Sequence, residues 1–180
     1  MKRRYATTLS LCLLAGCGST GMTTLDVTAQ IPPSTNRIDA DAWLAKGLYK
    51  KWHCEPAAHA SRSPSPHGMN RICSNDLASA AGAGEYPVDS AAVKELFDDA
   101  GTNVVGYALY VHVKAGKTGD TWYWYEKVPP ASMAPHDANG TVADGTGGSG
   151  PAMGICVGCH SAAGSDAGHS GHDFVYTQVK

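Results

Sequence analysis

Between residues 104 and 128 the apolar positions alternate. Val105, Tyr107, Leu109, Val111 and Val113 fall at every second place, the period of a β-strand whose successive side chains face opposite ways. A turn-rich connector, Ala115 to Asp120, leads into a second aromatic and β-branched run from Thr121 to Val128. The two runs predict an antiparallel hairpin with unlike faces, one of them packed on a core. Pro129 and Pro130 end it, because proline cannot donate to the ladder.

The rest of the pattern is weaker. Trp43, Leu44, Leu48 and Trp52 recur at helical spacing after an acidic start, which predicts an amphipathic helix from Asp39 to Trp52 with its tryptophans in the core. Residues 55–70 form a Pro/Ser/His-rich loop carrying His59 and His67. Arg71 to Ser74 reads as a short strand, and Asn75 as the N-cap of a brief helix through Ala81 that Gly82 ends. The stretch from Ser90 to Leu96 is locally helical by propensity. Residues 131–154, with Met133, His136, Asp137, Asp144 and Met153, read as one long loop, and 173–179 as a closing strand.

Composition narrows the class. A chain of 180 residues is enough for one domain with a real core. Its 21 glycines and 10 prolines favour loops and short strands over a helical bundle. The net charge is −2, only 17% of residues are charged, and no basic run follows the N-terminus, which argues against a nucleic-acid partner.

The N-terminus reads as a targeting segment. Lys2, Arg3 and Arg4 precede an apolar stretch, Tyr5 to Leu14, too short to span a bilayer. Leu14-Ala15-Gly16-Cys17 resembles the lipobox of bacterial lipoproteins, which implies a diacylated Cys17 as mature N-terminus. Ordinary cleavage nearby, leaving Cys17 free, is the alternative. The expected organisation is a lipoprotein signal peptide at 1–16, a flexible membrane tether at 17–37 and one domain at 38–180. The expected location is the periplasmic side of a bacterial membrane, the outer membrane first, held through the lipid alone. No other stretch is apolar and long enough to cross a membrane. Cys12 leaves with the signal. Cys54 and Cys73, left without another role, are expected to form a disulfide in an oxidising compartment, with two buried thiols as the alternative.

Cys156-Val157-Gly158-Cys159-His160 spells Cys-x-x-Cys-His, the attachment signature of a c-type haem. The spacing predicts thioethers at Cys156 and Cys159, His160 as proximal iron ligand, and one haem c per chain. The second face of the hairpin would line it. Two other chemistries use such residues: a redox dithiol, and half of a zinc site completed by His169 and His172.

The order of features from Arg71 to Val179 resembles the cytochrome P-460 and cytochrome c-prime-beta family. The likeness rests on GEYPVDSAAVKEL at 84–96, WYWYEKV at 122–128, CVGCH at 156–160 and DFVYTQV at 173–179. The segment around Trp52-His53-Cys54 and residues 65–68 departs from the better-known members. The resemblance implies an α+β, predominantly β fold: an antiparallel sheet with a few short helices and one covalently bound haem c. It places residues 91–97 on a strand against their local helical propensity. It implies a haem cross-link at Lys94, which matches the family's VKE lysine, and a distal acid–base carboxylate, for which Asp137, Asp144 and Glu126 are candidates by type. It implies a haem-dependent oxidoreductase of the hydroxylamine-oxidising type, with a small nitrogenous substrate or ligand, a redox partner cytochrome and a homodimer. A nitric oxide-binding haem protein and an electron-transfer cytochrome, with Met133, Met153 or His67 as sixth ligand, stand beside it.

Overall fold

The structure is a computed structural model that describes residues 37–180. The expected signal peptide, the lipidated Cys17 and the tether, apart from Arg37, lie outside the described residues. Among the described residues no helix is long and apolar enough to cross a membrane.

Seven strands make one antiparallel sheet. In chain order they are β1 (His53–Cys54), β2 (His59–Ala60), β3 (Met69–Ser74), β4 (Ala91–Phe97), β5 (Val104–His112), β6 (Trp122–Lys127) and β7 (Thr141–Thr146). The spatial order is β1-β3-β4-β5-β6-β7, with β2 also paired to β3. Around them lie α1 (Arg37–Ala45), a 3-10 turn at Leu48–Lys51, α2 (Asp76–Ala80), and a π-helical turn at Ala152–Val157 that runs into α3 (Gly158–His160). This is the expected mixed α+β sheet with a few short helices. The covalently bound haem c of that expectation is corrected below.

Directly opposed residues of antiparallel strands share a face, so the register sorts the side chains. Val93 opposes Leu109 and Leu109 opposes Tyr125. Together with Ala91, Val111 and Tyr123 these pack against Trp43, Leu44, Tyr49 and Trp52 from α1 and the 3-10 turn, forming the main core. The alternate residues face the other way: Ile72 opposes Lys94, Lys94 opposes Ala108, and Tyr110 opposes Trp124. That second face floors the candidate site.

A charged knot lies under the main core. Glu95 is fully buried. It accepts from the Tyr49 hydroxyl at 2.6 Å and from Arg71 Nε at 2.8 Å and Nη2 at 2.7 Å. Those bonds answer the solvation that its carboxylate loses on burial. Cys54 and Cys73 are opposed on β1 and β3 and form a disulfide across 19 positions. Closing a loop of that length stabilises by about 3 kcal/mol in the chain-entropy model.

The sequence reading meets three corrections here. The single helix expected from Asp39 to Trp52 breaks at Gly47, which is left-handed at φ 65° and resets the chain so that Tyr49 points at Glu95. A strand, β7, occupies part of the loop expected at 131–154. Its sequence, TVADGT, has no apolar alternation, and pairing with β6 makes it a strand. The closing strand expected at 173–179 is absent: Asp173 and Phe174 have φ of 46° and 67°, incompatible with an extended run. Instead, Gln178 Nε2 donates to the carbonyls of Ala78 and Ala81, and the Ser79 hydroxyl donates to Val179 O, which ties the tail to the end of α2.

Candidate functional site

The second face of the sheet carries a partly open cavity of about 130 Å³. Its floor is Ile72, Lys94, Tyr110, Trp124 and Glu126. The loop with Ser65 and His67 closes one side, and the turn bearing Cys156, Cys159 and His160 closes another, with Tyr176 from the tail.

Lys94 is the central polar group. Its Nζ lies 2.9 Å from His67 Nδ1 and donates to Ser65 Oγ at 3.4 Å. An ammonium has three hydrogens to place, so one remains for the cavity. Accepting at Nδ1 puts the His67 proton on Nε2, which faces Glu126 Oε2 at 3.6 Å. Burial pulls the Lys94 ammonium down to about 8, against the opposing pull of the Glu126 carboxylate.

His160 is held just as firmly. Its Nδ1 donates to Phe174 O at 2.7 Å, which leaves Nε2 with a free lone pair. Burial lowers its pKa to about 4, so the ring is neutral near pH 7, while the bond to Phe174 works the other way. Trp124 and Tyr176 flank the ring at 4.7 and 5.4 Å between centroids. The carbonyl reaches His160 because Asp173 and Phe174 are both left-handed, a conformation costing roughly 1–3 kcal/mol for each such residue. Asp173 Oδ2 meets that strain by accepting from the Tyr86 amide at 2.8 Å.

The cysteine turn is wedged into place. Val157 sits where side chains at Gly119 and Gly147 would be: a Cβ at either would come within 2.4–2.5 Å of a Val157 methyl. The Tyr176 hydroxyl donates to Cys159 O at 2.8 Å. Both thiols are free in this structure. Burial pushes the Cys156 thiol up to about 12.

Of the residues singled out in the sequence, Lys94, Glu126, His67, Cys156, Cys159 and His160 come together here. Others do not. Asp137 pairs with Arg37 at 2.6 Å and accepts from the Thr141 and Asn139 amides. Asp144 accepts from the Tyr123 hydroxyl at 2.8 Å, on the core face of the sheet. Neither lines the cavity. His59 is engaged by Glu55 at 3.0 Å. Met133 is fully exposed and Met153 half-exposed, and neither borders the cavity. Sequence reasoning missed Ser65, Tyr110, Tyr176 and the Phe174 carbonyl. Only the position of Tyr110, on the non-core alternation of β5, could have signalled one of them.

No known protein family, curated protein or solved structure matches the chain. The expected membership in the cytochrome P-460 and c-prime-beta family is therefore corrected, and the roles it lent to Lys94 and to the distal carboxylates lose their warrant. The haem c is corrected with it. Among the described residues no group of three or more His, Cys, Asp or Glu side chains is placed to hold a metal ion. The haem-dependent oxidoreductase, the nitric oxide-binding protein and the electron-transfer cytochrome all needed that cofactor and fall with it. The zinc alternative meets the same correction, since His169 pairs with Asp166 and His172 stacks on Tyr86.

Proposed function

We propose that the chain binds a small organic anion, a single aromatic ring bearing a carboxylate, with the carboxylate on Lys94 and the ring between Trp124, Tyr110 and Tyr176. The observation that carries this reading is the Lys94 ammonium, buried at the cavity floor with two of its three hydrogens committed. A buried cation with a free donor favours an anion of matching size. The volume limits the body to about one ring. Arg62 stands at the rim, paired with Glu55 at 2.7 Å, and Glu126, on the floor, faces the His67 Nε2 proton at 3.6 Å. Benzoate is the probe. Calorimetric titration of the purified chain should show saturable one-site binding that Lys94→Met weakens about 100-fold, the scale of a lost charged hydrogen bond in a dry site. Equal binding by both proteins would overturn the reading.

The same reading keeps the chain on the periplasmic side of a membrane, anchored at Cys17, and the Cys54–Cys73 disulfide supports an oxidising compartment. Cys17→Ser should move the protein from the membrane fraction to the soluble one on cell fractionation. An unchanged distribution would refute the anchor.

A further inference from the structure

The Cys156–Cys159 turn has no part in holding a carboxylate, yet its two thiols line the same cavity wall. Val157 and Gly158 between them are both right-handed helical, at φ/ψ of −65°/−38° and −54°/−38°. Positions three apart on such a turn have Cα atoms about 5 Å apart, inside the roughly 4.4–6.8 Å span that a disulfide bridges. The two thiols differ in access: Cys156 is buried and Cys159 is more open. The turn is held from outside the pair, by Val157 against Gly119 and Gly147 and by Tyr176 on the Cys159 carbonyl. The pair can therefore close without moving its support.

The geometry points to a thiol–disulfide exchange couple at Cys156 and Cys159, with an external disulfide as its reaction partner. Cys159 loses its proton, and its thiolate attacks one sulfur of the external disulfide. The external S–S bond breaks, a mixed disulfide forms, and one thiolate leaves. Cys156 then gives up its proton and attacks Cys159 Sγ, closing Cys156–Cys159 and releasing the second thiolate, and the two released thiolates take up two protons. The chain's two thiols are oxidised by two electrons and the external disulfide is reduced to two thiols. The Cys54–Cys73 bond, with Cys73 fully buried, takes no part and serves as the internal reference.

The test is a redox titration of the full chain in mixtures of oxidised and reduced glutathione, quenched in acid, alkylated and read by peptide mass. Cys156 and Cys159 should pass together from two alkylated thiols to one unalkylated, linked species two hydrogens lighter than the free dithiol, reversibly, while Cys54–Cys73 stays bonded throughout. In Cys156→Ser, glutathione should remain trapped on Cys159. In Cys159→Ser, trapping on the buried Cys156 should be at least about tenfold slower. Three results would overturn the proposal: both thiols staying alkylatable in fully oxidised glutathione, glutathione on each cysteine with no bond between them, or an adduct on both sulfurs that reductant does not remove. All three are read on the wild-type chain, so they hold even if a variant fails to fold, and none depends on benzoate binding.

Discussion

Glu95→Ala is expected to destabilise the fold by about 3–5 kcal/mol, the usual result of removing one partner from a buried ion pair. Glu95 is fully buried and takes hydrogen bonds from Tyr49 at 2.6 Å and from two Arg71 nitrogens at 2.7 and 2.8 Å. Alanine would leave a partly buried guanidinium and a fully buried phenol without their acceptor, and the void left by the side chain adds to the loss. Urea unfolding measures it, with a fall in Tm of roughly 10 °C for a domain of this size. Glu95→Gln should lose less, because its amide oxygen can still accept from Tyr49. The double variant Glu95→Ala, Arg71→Met should recover part of the loss, since no charge is then stranded. A loss below about 1 kcal/mol for Glu95→Ala would mean that the knot behaves like a surface pair.

The second large effect is the pH dependence of benzoate binding. Burial holds Lys94 at about 8, below its unfolded value of 10.5. Benzoate is an anion throughout this range and needs the ammonium form. Affinity should therefore be flat below about pH 7 and fall by about tenfold per unit once the free protein has lost the Lys94 proton. The groups that face Lys94 are Glu126, Glu55 and Cys159, which favour its charge, and Arg62, which opposes it. His67 is bonded to it directly. Lys94→Met should abolish the fall, leaving its weakened affinity flat with pH. Affinity unchanged up to pH 9.5 in the wild type would sink the assignment of Lys94 as the anion's partner.

Stability of the ligand-free chain gives the opposite slope as a second readout. Between the folded value of about 8 and the unfolded 10.5, the unfolded chain holds more protons at this lysine. Its contribution therefore makes stability rise with pH across that window. The difference between wild type and Lys94→Met isolates it from other groups. A flat difference would show that the lysine is not desolvated.

What could be read from the chain alone was what local pattern encodes. The alternation at Val105 to Val113 and the aromatic run at 122–127 are strands because a period of two exposes one apolar face whatever that face meets. Asn75 caps its helix as expected, accepting from the Ala78 amide at 3.0 Å, because a cap needs only the next three residues. Cys54 and Cys73 are paired as expected, although the elimination that singled them out had given Cys156 and Cys159 to a haem. Tertiary contact decided the rest. β7 is a strand only because β6 offers it an edge, and residues 91–97 extend, against their helical propensity, between β3 and β5. The family likeness and its haem were read from short stretches of similar letters and a five-residue motif. A motif states which side chains are near in sequence but not what the fold brings around them, and among the described residues no group of three or more His, Cys, Asp or Glu side chains is placed to hold a metal ion. The site itself joins His67, Lys94, Glu126 and His160, which lie on a loop, two non-adjacent strands and a helical turn. Only sheet register and the two left-handed residues before Val175 bring them together. Register is a long-range property: shifting β4 by one residue would send Lys94 into the core and Glu95 into the cavity.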